Sequence, residues 1–267
     1  MRRRLLWNAC GAGLLLLAAA CGGVQHRAPT GPEPIHRPRV VDRVPHDPEA
    51  FTQGLLIDGD VWLESTGLYG ESDLREVRRD TGEVLRKVPL DPRHFGEGLA
   101  LFGGRLYQLT WRERVAIVYD RDSLEEVERF RYSGEGWGLT NNDRHLFMSD
   151  GSATIRVIDP ETFRTVRTFE VRGYRGPVNR LNEMAWIDGE IWANIFETKL
   201  IVRFDPRDGR VIGFLDLSHL PLPEDVHGNQ DVLNGIAFDP ETGGVWVTGK
   251  RWRALYQLEW PPPAPAE

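Results

Sequence analysis

From Phe51 to Trp260 the chain is a succession of short runs in which apolar and polar positions alternate, bounded by Gly, Pro, Asn and Asp. Period-two alternation marks strands with one buried face, and no window sustains the spacing of three and four that a helix needs. The runs also repeat. RVPHDPEAFTQGL (Arg43 to Leu55) returns as KVPLDPRHFGEGL (Lys87 to Leu99), and units anchored on Gly54, Gly98, Gly138, Met184 and Ile236 follow one another at 44, 40, 46 and 52 residues. Each anchor is followed by a β-branched or aromatic run: DVWLEST, RLYQLTW, HLFMSDG, EIWANIF and GVWVTGK. A third run follows in every unit and a fourth in all but the last, which ends at Trp260. The missing fourth strand stands at the other end: VVDRVPH precedes the first Phe-Thr-Gln-Gly turn as VLRKVPL precedes the second Phe-Gly-Glu-Gly turn. Four strands per unit, with an orphan strand completing the last, predict an all-β fold, a five-bladed β-propeller over residues 39–260. Its last blade is closed by the N-terminal strand, Arg39 to His46. A two-sheet sandwich would not explain why the first strand copies the fourth of each unit.

The ends read differently. Arg2, Arg3 and Arg4 before an apolar run ending LLLLAAAC make residues 1–21 a secretory signal of lipoprotein type, with Cys21 as the lipidated residue. The run is too short for a permanent span. Residues 22–38 read as a disordered tether and 261–267 as a Pro-rich tail. The expectation is an exported protein, periplasmic or at the surface, touching the membrane only through a lipid anchor. Cys10 and Cys21 are the only cysteines, so the body has neither disulfide nor thiol chemistry. Formal charge is −7, and loss of the leader's three arginines leaves 30 basic against 40 acidic residues, or −10. That balance excludes nucleic acid as a natural partner.

In a propeller the innermost strands face a central channel, and the loops entering them converge at one mouth. The turns FTQGL, FGEGL, GEGWGL, LNEMA and LNGIA therefore aim Gln53, Glu97, Trp137, Asn182, Glu183 and Asn234 at a common axis. Crowding near the axis accounts for Gly54, Gly98, Gly138 and Gly235 as structural glycines. It does not account for Glu97 and Glu183, since a carboxylate in a narrow channel loses solvation. Trp111, Trp137 and Trp252 stand at strand ends as candidate pocket walls, whereas Trp62, Trp192 and Trp246 recur at core positions. Lys250, read without other information, is a solvated surface lysine. There is no Gly-x-Ser-x-Gly elbow, no Gly-Lys-Ser phosphate loop and no His pair at metal spacing. No cofactor is expected, although Asp-rich turns leave a structural Ca²⁺ open.

FTQGL, LESTGLYG, FGEGLA, QLTWR, GEGWGLT, LFMSDGSATI, LNEMAW, DVLNGIAFDP and VTGKRW, in that order, resemble the glutamine cyclotransferase family, the plant and bacterial type of glutaminyl cyclase. The likeness covers Val40 to Trp260. It implies a five-bladed propeller that converts the N-terminal glutamine of peptides or proteins to pyroglutamate, releasing ammonia without catalytic zinc. Under it Glu97 is the first choice for the proton shuttle and Glu183 the second, with Glu64 as an amine anchor. Lys250, Asn182 or Asn234 would meet charge on the carbonyl oxygen. Trp111, Trp137 and Trp252 would hold the glutamine side chain folded over its own amine. Where some relatives carry Glu in the first turn, this chain has Gln53, which suits hydrogen bonding to substrate. Two other functions fit the fold: a non-catalytic ligand- or protein-binding propeller, and a Ca-dependent lactonase-like hydrolase.

Overall fold

The computed structural model describes residues 31–220 and 231–261. The signal segment, Cys21, the first part of the tether, His227 and the tail beyond residue 261 lie outside the described residues. Within them the propeller is as expected. Blade 1 runs from axis to rim as Thr52–Asp58, Val61–Thr66, Asp73–Arg78 and Val84–Pro89. Blade 2 follows with Gly96–Phe102, Arg105–Thr110, Val115–Asp120 and Glu126–Arg131. The short strands Leu139–Asn141 and Leu146–Met148 open blade 3, and Leu181–Ile187 opens blade 4. Blade 5 takes Leu233–Asp239, Gly244–Gly249 and Ala254–Leu258 from the C-terminal end, and Val40–Pro45 as its outer strand.

Alternation along each strand gives every blade two apolar faces, so the core is five layers between blades rather than one centre. Adjacent residues serve opposite layers. Trp62 packs with Trp246 and Ala237 against blade 5, their indoles 5.4 Å apart edge to face, while Leu63 packs with Leu99 and Leu106 against blade 2. Trp62, Trp192 and Trp246 are all buried, as their recurrence predicts. The outer strands of blades 1 to 3 are mostly exposed and each carries charged residues, most densely in blade 2 with Glu126, Glu128, Arg129 and Arg131, which discourages further strands from adding there.

One segment departs from expectation. Ile35–His36, read as tether, pairs in parallel with Phe214 and Leu215 on the rim of blade 4. From there the chain crosses to blade 5, pinned by Arg37 to Asp216 (2.7 Å) and by Arg39 to Glu259 (2.8 Å). A strand of two residues carries no readable period, so this pairing has no signature in the alternation of apolar and polar positions.

Near the axis the blades meet backbone to backbone. A Cβ on Gly54 would lie 2.5 Å from Leu99 N, one on Gly98 would lie 2.6 Å from Trp137 O, and one on Gly138 would strike Asn182 O. The glycines of blades 1 to 3 thus each face the next blade's main chain, and the Gly98 amide donates to Trp137 O at 2.7 Å. Gly98→Ala is expected to destabilise by about 3 kcal/mol or more, because the neighbour is backbone and cannot turn aside. Thermal melting should show a drop of roughly 6–12 °C; an unchanged melting temperature would refute this account of the axis.

Candidate active site

The strand pairs nearest the axis carry register shifts in four blades: between Thr52 and Gly54, Gly96 and Leu99, Leu181 and Met184, and Leu233 and Ile236. A bulge turns a side chain out of the alternation. The bulged residues are Gln53, Glu97 with Gly98, Asn182 with Glu183, and Asn234 with Gly235. The polar residues that looked misplaced in the sequence are those that the bulges redirect.

Six expected site residues come together. Gln53, Glu97, Trp111, Trp137, Asn182 and Lys250 line one cavity of about 280 Å³ at the axial mouth. Glu97, from the innermost strand of blade 2, is buried and accepts a hydrogen bond from Gln53 Nε2 at 3.2 Å. Burial pushes its carboxyl well above the usual range; Lys250 opposes that shift, while Glu135 and Glu113 add to it. Lys250 follows the second strand of blade 5 and is buried too, contrary to the surface position that a lone lysine suggests. Its Nζ stands 4.7 Å from the Phe51 ring and 5.0 Å from the Phe196 ring. Burial brings its pKa down to about 8, with Glu97 pulling the other way. Trp111 and Trp137 stand half-buried on the wall, Trp111 edge-on to Phe95 and Trp137 edge-on to Phe196. Asn182 Oδ1 is buried without a hydrogen-bond partner among the described residues.

Four expected site residues do not reach the cavity wall. Glu64 faces the seam between blades 1 and 5, accepting from Thr52 Oγ1 at 2.7 Å and meeting His46 Nε2 at 3.1 Å. His46 Nδ1 is 2.6 Å from Trp252 O. Although burial alone lowers the imidazole pKa, Glu64 and the Trp252 carbonyl raise it overall. Glu64 is therefore part of the ring's closure. Glu183 is buried beneath the mouth, where Oε2 accepts from Ile236 N at 2.8 Å; burial pushes its pKa well up despite bonds from the Leu55 and Ile236 amides. Asn234 directs its Nδ2 at Thr52 O (3.0 Å) and Gln53 Oε1 (3.1 Å), so it holds Gln53 from behind. Trp252 is buried between blades 4 and 5 with Nε1 donating to Asp231 O at 3.0 Å.

Phe51, Phe95, Phe196 and Glu197 also line the cavity. Sequence reasoning missed them, although Phe51 and Phe95 hold the same place in the two opening repeats. The Asp-rich turns considered for calcium use their carboxylates on their own backbone: Asp120 accepts from Ser123 N at 2.9 Å and Asp159 from Thr162 N at 2.9 Å. Among the described residues no three His, Cys, Asp or Glu side chains group as a metal site.

Fold and cavity together define a propeller whose axial mouth holds one buried carboxyl and one buried amine between aromatic walls. The chain belongs to the glutamine cyclotransferase family, whose model matches residues 14–260. It is 42% identical over 229 residues to a glutaminyl-peptide cyclotransferase of Arabidopsis thaliana, covering 84% of this chain and 72% of the relative. Among solved structures it superposes on the glutaminyl cyclase of Myxococcus xanthus with a TM-score of 0.81 at 33% identity, covering 85% of this chain and 97% of the other.

The position of Glu183 yields a direct expectation. Glu183→Ala leaves the buried Ile236 amide without its acceptor and should cost about 2 kcal/mol, read as a lower melting temperature. Full stability in that variant would show that this bond contributes nothing.

Proposed function

We propose that this chain is a glutaminyl-peptide cyclotransferase acting on the N-terminal glutamine of peptides or proteins. The observation that carries the reading is the meeting of Glu97 and Lys250, both buried, in a cavity the size of one side chain with its backbone. The substrate's α-amino nitrogen attacks its own side-chain Cδ. An α-amino group titrates near 8, and a carboxyl that burial pushes above its ordinary range takes a proton from it more readily than a solvated one would. Glu97 takes the amine proton as the new C–N bond forms. Charge gathering on the carbonyl oxygen is met by Lys250 and Asn182, each such donor being worth about 3 kcal/mol. Glu97 then returns the proton to the former amide nitrogen, the old C–N bond breaks, and ammonia leaves. Trp111 and Trp137 hold the side chain in the folded conformation that ring closure requires. Gln53, fixed by Asn234, presents its amide N–H groups to Glu97.

The proposal extends to export and to a lipid on Cys21, supported by the leader alone; detergent-phase partition abolished in Cys21→Ser would support the anchor, and unchanged partition would reject it. A structural Ca²⁺ held by Asp-rich turns is also proposed, on the strength of their carboxylate oxygens, the ligand type that this ion takes. Metal analysis of the purified protein tests it, and a calcium-free protein of full stability would reject it.

Mass spectrometry of a Gln-leading peptide should show loss of one ammonia. No loss would favour a binding propeller, and hydrolysis of a lactone that stops on chelation would favour the metal-dependent hydrolase. Glu97→Gln should lower kcat at least about 100-fold with the melting temperature little changed; wild-type turnover would remove Glu97 from the mechanism. Because Lys250 acts as a donor only when protonated, kcat/KM should fall as pH rises past about 8. Lys250→Arg should move that fall to higher pH, and a limb that stays in place would assign it to another group.

A further inference from the structure

Glu135 was singled out by neither the repeat nor the family resemblance. It lies in the loop that carries the chain from the rim of blade 2 to the axis of blade 3, two residues before Trp137. Its Oε2 accepts from both indoles of the cavity wall, Trp111 Nε1 at 2.8 Å and Trp137 Nε1 at 3.0 Å. Its Oε1 accepts from Arg112 Nε at 3.2 Å, and the Arg112 guanidinium lies 3.8 Å above the Trp111 ring. The two indoles come from different blades and different loops, and one oxygen atom ties their N–H edges together. Their other edges are fixed as well. Phe95 stands 5.5 Å from Trp111 and Phe196 stands 5.5 Å from Trp137. Gly151, at φ +80°, leaves room for the Trp137 ring where a Cβ would lie 2.7 Å from it. Burial alone would raise the Glu135 carboxyl, yet the bonds from Trp137, Trp111 and Arg112 hold it below its ordinary range, so it is an anion, the stronger acceptor.

We propose that Glu135 is a positioning residue for the cyclisation: its carboxylate sets the spacing of the two indoles that grip the glutamine side chain, without touching the reacting atoms. The inference rests on the proposed function for its kinetic part only. A clamp of this kind acts on how well the side chain is held, whereas a group in the proton path acts on turnover. Removing it lets both indoles swing while leaving Glu97 and Lys250 in place; it also withdraws one of the charges that push the Glu97 carboxyl up, an effect read in the pH profile of kcat and separate from the change in KM.

The test combines kinetics with the indole N–H resonances of the ligand-free protein, assigned through Trp111→Phe and Trp137→Phe. In Glu135→Ala the two signals should move upfield together, KM for a Gln-leading peptide should rise about tenfold, and kcat should change by less than about threefold. In a Trp111→Phe, Trp137→Phe background the same substitution should have little further effect on KM, since no indole N–H remains to be held. Glu135→Gln keeps an acceptor oxygen but loses the charge and the Arg112 pair, so an intermediate rise of about threefold is expected; it also serves if the alanine variant does not fold. Indole signals that stay in place, an unchanged KM, or an undiminished effect without the indoles would each overturn the proposal. A parent protein that does not cyclise the peptide would instead overturn the proposed function, because the resonance shift is read without substrate.

Discussion

The close approach of main chains around the axis is the constraint from which the site follows. Where Gly54 and Gly98 let one blade's inner strand rest on the next, little room is left for side chains, and regular pairing with the second strand fails at the same places, as it does at Leu181 to Met184 in blade 4. In these three blades the failure frees a residue from the in-and-out alternation and points it at the mouth. Gln53, Glu97 and Asn182 are therefore products of the crowding, not additions to a finished scaffold.

Burial then sets the chemistry. Glu97 and Lys250 lie in one small cavity, and the same loss of water drives the acid upward and the amine downward, so their proton affinities approach each other and that of the substrate's amine. In open solvent the carboxyl would be too weak a base to take the amine's proton. The surrounding rings of Phe51, Phe95 and Phe196 keep water out and still favour the ammonium through their faces.

The architecture was legible in the sequence because a repeat copies itself: VVDRVPH could be matched to VLRKVPL, and the pairing of Val40–Pro45 with Ala254–Leu258 followed. Glu97 and Gln53 were legible for the same reason, each being a polar residue at a position where other units place their own. Asn234 was assigned to the cavity from its mouth motif, Trp252 from its place at a strand end and Glu64 from the family resemblance, but none of these says which way a side chain points, and each found its partner elsewhere. Lys250 was the reverse case. Its burial depends on Phe51 and Phe196, which lie far away in sequence, so no local pattern could announce it. Glu135 was hidden because its role lies in one oxygen atom that accepts from two indoles, one of them 24 residues away in the chain.

The ring takes its first structural strand of the propeller from one end of the chain and that strand's partner from the other, while Lys250 sits in the final blade. During synthesis Val40–Pro45 leaves the ribosome early and waits, unpaired, for almost the whole remaining sequence. A product terminated before Ala254 would lack both the seal and the finished sheet, and one ended before Lys250 would lack the ammonium as well. Sealing of the ring and arrival of the ammonium thus both wait on one segment, Gly244 to Leu258.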